Sequence, residues 1–190
     1  MLNDLVLTNR SYRRFYQNFL ISEQVLLELV NLARLSPSAK NAQPLKYILS
    51  FTKEKNEKIF PTLAWAAYLK DWQGPEEGER PSAYIIMLLD KSITSNYYCD
   101  HGIAAQSILL GANEKGLGGC IIANISREKL AEALHIANGL EIIQIIALGK
   151  PKETVVIEPL GLDGKIEYWR DENQVHHVPK RSMDEIIIKN

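Results

Sequence analysis

Arg10-Ser11-Tyr12-Arg13 sets two guanidinium groups and a serine hydroxyl within four residues, and Arg14 follows at once. Guanidinium groups stay charged and hold phosphate or carboxylate oxygens in pairs, so the chemistry open to this cluster is anion binding. Near the other end, Lys180-Arg181 adds two cations just before Ser182-x-x-Glu185, a capping box that opens a short helix. A helix start carries unpaired N–H groups and a partial positive charge, which suits the same class of ligand. Between these clusters, Pro37-Ser38-Ala39-Lys40-Asn41-Ala42-Gln43-Pro44 is a loop stiffened by proline at both ends, where Ser38, Asn41 and Gln43 supply donors and acceptors. Each cluster read alone is equally a solvated face or an ordinary turn. The two cationic clusters sit at element junctions and not along one helical stripe, which favours parts of one anion-and-ring binding site.

Other chemistries lack their spacing. Gly161-Leu162-Asp163-Gly164-Lys165 has two residues between its glycines where a phosphate loop of the Walker type needs four. Gly116-Leu117-Gly118-Gly119 places its third glycine wrongly for a dinucleotide fingerprint. Cys99-x-His101 and His176-His177 have no second pair at zinc-like spacing, so no metal site is expected. Asp90, Asp100, Glu128 and Glu141 show no local sign of a paired-carboxylate site, and no side chain presents itself as a nucleophile. Trp65, Trp72 and Trp169 read as core or lid residues.

The elements that must position these residues are legible in part. Ser22 caps a helix to about Leu35 with Leu26, Leu29, Val30 and Ala33 on one face. Strands are expected over Lys46 to Phe51, Ala83 to Leu89, Gly118 to Ala123 and Glu141 to Leu148, the second of them apolar throughout and therefore covered on both faces. Helices are expected from Lys53, over Thr62 to Trp72, and from Ser126 to about His135, with a loop over Gln73 to Pro81. His101 to Lys115 reads as a helix closed by Gly116, with small or apolar residues almost all round. Such a helix is buried on all sides, either in a core or against a second subunit. After Pro151 the periodicity weakens, and a long tail of this kind wraps something instead of making its own core.

A chain of 190 residues, 46% hydrophobic and 24% charged, is expected to form one domain over 1–190 with a substantial core. Twenty-two basic residues against 23 acidic ones give a net charge of −1, without the basic excess of a general nucleic-acid binder. Cys99 and Cys120 are too few for a disulfide framework and are expected to be buried free thiols in a reducing cytosol. No apolar run approaches the roughly 18 residues of a membrane span, and Met1-Leu2-Asn3-Asp4 does not open a signal peptide, so no membrane partner and a cytoplasmic location are expected.

Five motifs in order resemble the FMN-dependent nitroreductase family. They are Arg10-Ser11-Tyr12-Arg13-Arg14-Phe15, Pro37 to Pro44, Gly116-Leu117-Gly118, Leu148-Gly149-Lys150-Pro151 and Lys180-Arg181, together running from about residue 8 to residue 185. The resemblance implies an α+β nitroreductase-like fold, a central, mostly antiparallel sheet flanked by helices. It also implies an intertwined homodimer in which residues 152–190 are a partner-wrapping, exchanged C-terminal extension. It implies that Arg10, Ser11 and Arg181 grip the FMN phosphate, with Lys180 beside them, and that Arg13 faces the pyrimidine edge of the flavin. Pro37, Ser38, Asn41 and Gln43 would line the cofactor, Ser38 and Asn41 reaching it from the partner subunit, and Gly118 and Gly119 would bring backbone N–H close to the ring. The helix from His101 would lie in the dimer interface. Asn9 stands where many members carry arginine, and Leu45 where an aromatic residue often follows Gln-Pro.

The activity so implied is oxidoreduction. Hydride would pass from NADH or NADPH to flavin N5 and then, in a ping-pong sequence, to a small electrophilic acceptor such as a nitroaromatic or a quinone. The cofactor would do the redox step and the protein would hold and tune it. Reductive dehalogenation or flavin fragmentation on the same fold, and a non-catalytic flavin carrier or sensor, are the alternative readings.

Overall fold

Residues 1–189 are described by a computed structural model of the chain. Its centre is a four-stranded sheet built from β1 (Leu45–Ser50), β2 (Ala83–Asp90), β3 (Gly118–Ile122) and β4 (Leu140–Gly149), in the order β1-β2-β4-β3. Every neighbouring pair is antiparallel, with Ile86 opposite Ile48 on one side of β2 and opposite Ile145 on the other. Alternation along β2 assigns each residue to a face. Ile85, Met87 and Leu89 enter one cluster with Leu26, Leu29, Ala105, Ile108 and Ala112. Tyr84, Ile86 and Leu88 enter the other with Ile59, Trp65, Ile122 and Leu130. The sheet is therefore a middle layer, with α2 (Glu23–Leu35) and α4 (Asp100–Glu114) on one side and α3 (Lys53–Ile59) and α5 (Arg127–Ala133) on the other.

The helix starts obey the sequence. Ser22 Oγ accepts from Val25 N–H at 3.4 Å, and Thr52 Oγ1 accepts from Lys55 N–H at 3.4 Å. α4 ends where Gly116 adopts a left-handed φ of +69°, a conformation that costs glycine nothing. In the single chain α4 is not covered all round. Ala104, Ala105, Ile108, Leu109 and Ala112 are buried, whereas Ile103 is exposed and Leu110 half-buried.

Three expectations are corrected. Thr62 to Trp72 is not a helix: Pro61 sits in a short 3-10 turn, Leu63 pairs with Ile125, and Ala64 N–H donates to Asn124 O at 3.0 Å. Bonds to a distant segment thus outweigh local propensity there. Cys99 is exposed just before α4, and only Cys120 is buried. The tail carries regular structure of its own. β5 (Val155–Pro159), β6 (Trp169–Arg170) and β7 (His176–Lys180) form a second sheet in the order β5-β7-β6, parallel on one side of β7 and antiparallel on the other.

That small sheet is tied to the chain's own N-terminal segment. α1 (Leu2–Thr8) leads into residues that pair with β3 at Ser11–Gly119 and with Pro151 at Phe15. The Glu153 carboxylate, almost fully buried, accepts the backbone N–H groups of Arg13 and Arg14, the latter at 3.1 Å. Its other oxygen accepts from Arg170 Nη2 of β6 at 2.9 Å. One carboxylate so joins the start of the chain to its end. Past β7, the short helix α6 (Met183–Ile186) leaves Met183, Ile186, Ile187 and Ile188 exposed.

Candidate functional site: a cation-lined cavity beside an apolar cleft

The N-terminal segment and the tail enclose a cavity of about 280 Å³ lined by Asn9, Arg10, Ser11, Arg13, Tyr168, His176, Val178 and Lys180. Three cations and no carboxylate face it. A second, flatter cleft of about 180 Å³ adjoins it along Arg13 and Tyr168, and is otherwise lined by residues 64–67 and 120–124. A strongly cationic end meeting a slot lined largely by small and apolar residues, with backbone polar groups exposed between them, can complement a phosphate joined to a flat ring.

The arginines here are not spent on protein carboxylates. Arg10 Nη2 donates to the Val6 carbonyl at 2.7 Å, and its Nε is buried with no partner. Arg13 Nη1 donates to the Ser11 carbonyl at 3.2 Å, lies 3.4 Å from His176 Nε2, and stacks with its guanidinium carbon 5.0 Å from the Tyr168 ring centre. Among the described residues none of Arg10, Arg13 and Lys180 is in an ion pair. A cation that lines the cavity without a carboxylate partner is available to an anion from outside the chain.

Arg181 is placed elsewhere. It lies outside the cavity lining and pairs with Glu185 at 3.3 Å on the surface. The N-terminus of α6 is also taken, because Ser182 N–H donates to Glu185 Oε2 at 2.7 Å and Ser182 Oγ accepts from Glu185 N–H. The capping box that marks this helix in the sequence therefore engages the Ser182 and Glu185 N–H groups and sets the Glu185 carboxylate at the helix start, where it repels an anion. The tail's cation at the cavity is Lys180.

The proline-flanked loop lies at a separate cavity. Ser38 Oγ donates to the buried Asp100 carboxylate at 2.6 Å, and Ala39 N–H donates to its other oxygen at 2.9 Å. Gln43 N–H donates to Ser38 Oγ at 2.9 Å, and its side-chain amide reaches Asn41 at 3.2 Å. Lys40, Asn41 and Gln43 all take left-handed φ values between 52° and 54°. Such conformations cost roughly 1 kcal/mol or more each outside glycine, persist only where the surroundings enforce them, and gather at ligand sites. Here Asp100 is the anchor. Pro37, Ser38 and Gln43 line a cavity of about 160 Å³ that shares no residue with the cationic one. Within one chain the two cavities are separate.

Gly118 and Gly119 are required by protein packing. A Cβ on Gly118 would strike Tyr12 and Pro151, and one on Gly119 would strike the Ala147 carbonyl, Leu148 and Leu109. Gly119 O also accepts Tyr12 N–H at 3.0 Å, which brings the N-terminal segment onto β3. Cys120, next in line, borders the cleft, and burial pushes its thiol up to about 12.

Reasoning from sequence missed Tyr168, His176 and Glu153. His176 and His177 attract attention only as metal ligands, yet among the described residues no three His, Cys, Asp or Glu side chains converge on a metal position. His176, Val178 and Lys180 share one face of β7 and line the cavity together, a placement that Val175-His176-His177-Val178 does not mark in the sequence.

A model described as the nitroreductase family matches residues 6–150. A relative from Archaeoglobus fulgidus, named "Putative NADH dehydrogenase/NAD(P)H nitroreductase", is 27% identical over 157 residues, covering 78% of this chain and 84% of its own. Among solved structures, a nitroreductase family protein from Streptococcus pneumoniae superposes with a TM-score of 0.71 at 19% identity over 100% of both chains. An FMN-dependent nitroreductase from Clostridium difficile gives 0.64 at 23% identity, covering 80% of this chain and 88% of its own.

Proposed function

The chain belongs to the nitroreductase family, and from that premise we propose an FMN-dependent oxidoreductase that carries electrons from NADH or NADPH to small electrophilic acceptors such as nitroaromatics or quinones. The observation that carries this reading is the cation-lined cavity that adjoins a second cleft across Arg13 and Tyr168. FMN, when bound, would supply hydride-transfer chemistry between the nicotinamide and the acceptor. No side chain is needed as nucleophile or metal ligand. Arg10, Ser11 and Lys180 hold the phosphate, with Arg181 behind them at the surface. Arg13 faces the electron-rich edge of the ring, where a fixed cation stabilises negative charge that grows on reduction. Gly118 and Gly119 would let the backbone of β3 and the N-terminal segment pack closely beside the cleft.

The two cavities are completed by a homodimer, in which Ser38 and Asn41 reach the cofactor from the partner subunit. Supporting this are the exposed Ile103 of α4, the exposed Leu27, Leu32 and Leu35 of α2, and the uncovered α6 segment. The partner-wrapping part of the 152–190 extension is then its end, since residues 155–180 lie on their own chain. Such interfaces typically bury more than about 2,000 Å² and are strongly hydrophobic. Among the described residues no helix is long and apolar enough to cross a membrane, and we place the enzyme in the cytoplasm.

Stopped-flow mixing of the FMN-loaded protein with NADH and with NADPH tests this function. Bleaching of the flavin, followed by reoxidation on adding a nitroaromatic or a quinone, is expected. Protein that stays colourless after incubation with excess FMN overturns the cofactor assignment, and a flavin that stays oxidised leaves a carrier.

A further inference from the structure

Arg13 is oriented by groups that carry no charge: the Ser11 carbonyl at 3.2 Å, His176 Nε2 at 3.4 Å and the face of Tyr168. An arginine N–H only donates, so the imidazole nitrogen it faces must present a lone pair. A neutral imidazole with a bare Nε2 holds its proton on Nδ1, and that nitrogen is buried with no partner. Protonating His176 would set N–H against N–H. Burial opposes that charge first, and Arg13, Arg170 of β6 and His177 oppose it next, together pushing His176 down to about 4. The neighbouring carboxylate, Glu153, is engaged by Arg170 and by the backbone N–H groups of Arg13 and Arg14.

We propose that Tyr168 and His176, from the C-terminal tail of the same chain, are positioning residues that cage Arg13 in neutral contacts and leave its full positive charge to the bound ligand. A carboxylate in either position would fix the guanidinium as well but would cancel the charge. Neutral acceptors give orientation without neutralisation. The ligand's identity rests on the FMN reading above, whereas the cage stands on this chain's own geometry.

Long-range ¹H–¹⁵N NMR of the ligand-free protein at neutral pH, with His176 assigned by its loss in His176→Gln, reads the tautomer directly. The proton is expected on Nδ1. An Nε2–H tautomer or an imidazolium overturns the cage, whether or not FMN binds. On the FMN-loaded protein, His176→Phe keeps a ring against Tyr168 but removes the acceptor, and His176→Gln restores a carbonyl oxygen. We expect about five- to tenfold weaker FMN binding in His176→Phe, the cost of one hydrogen bond, together with a more negative flavin midpoint potential. In His176→Gln both should return to within about twofold of wild type in affinity. A His176→Phe protein with wild-type affinity and potential also overturns the proposal. Wild-type protein that takes up no FMN removes the cofactor reading and leaves the tautomer to decide the cage.

Discussion

Arg13 and Arg14 are neighbours of identical type with opposite fates. Arg14 Nε and Nη2 grip the Glu79 carboxylate at 2.5 and 2.7 Å, and Lys152 joins the same group at 2.9 Å. Arg13 points the other way, into a cavity where no carboxylate meets it. Successive side chains of an extended segment alternate in direction, so one dipeptide serves two purposes. Arg14 fastens the loop before β2 to the N-terminal segment, and Arg13 keeps its charge for a ligand. The difference lies in where Glu79 and Glu153 fall, and neither is near the arginines in sequence.

The sharpest way to break this contrast is at Glu153. Glu153→Gln removes the buried partner of Arg170 and weakens the anchor of two backbone N–H groups. A loss of about 3–5 kcal/mol in unfolding free energy, read by urea titration, is expected from stripping one member of a buried pair. A loss below 1 kcal/mol would show that the tail is not held as described. Next in size, Arg10→Ala and Arg13→Ala should each weaken FMN binding by about 1.5–3 kcal/mol with little change in stability, since neither is in an ion pair. Only Arg13→Ala should also lower the flavin midpoint potential, by about 30 mV for each 1.4 kcal/mol lost. Spectroelectrochemistry separates the two, and an unchanged potential in Arg13→Ala would return that residue to the phosphate.

Smaller effects test the edges of the comparison. Lys180→Ala should weaken FMN binding measurably, whereas Arg181→Ala, which loses one exposed pair, should change stability by about 0–1 kcal/mol and binding less than Lys180→Ala does. The reverse order, by fluorescence titration, would put Arg181 at the phosphate. The Arg14–Glu79 pair also has an acid signature. Hydrogen bonding from Arg14, with Lys152 assisting, holds the Glu79 carboxyl down to about 2. A carboxyl depressed in the folded state contributes its stability above its ordinary value near 4.5, and that contribution drains as pH falls toward 2. Glu79→Gln should be less stable at pH 7 and should lose less between pH 4.5 and 2 than wild type does.

How much of this was legible follows from how far each interaction reaches along the chain. Ser22 with the Leu26 and Leu29 face, the unbroken β2 run, and Gly116 closing α4 are local patterns, and they appear where the sequence places them. Trp65 and Leu69 mimic a helical stripe, but Pro61 and the bond from Ala64 to Asn124 decide the segment. The tail sheet escaped notice because β5 and β7 are five residues long and only partly buried, so their alternation is faint. Arg10, Ser11, Arg13 and Lys180 were picked out by charge and do gather at one cavity. Arg181 was picked out by the same signal and does not, since Glu185 one turn later claims it. Glu153, a lone acid in a polar stretch, carries no local mark at all.

The contact between Arg13 and His176 spans 163 positions of the chain. A ribosome adding about 5–20 residues per second needs roughly 8–30 s to travel that far. Throughout that interval the first half of the anion cradle has been made and the second half does not yet exist. On the FMN reading proposed above, cofactor capture would come late in biosynthesis, after Lys180 has been added. A prematurely terminated product would keep the central sheet and lack the far wall of the cradle. Flavin colour would then report a chain that extends at least as far as Lys180.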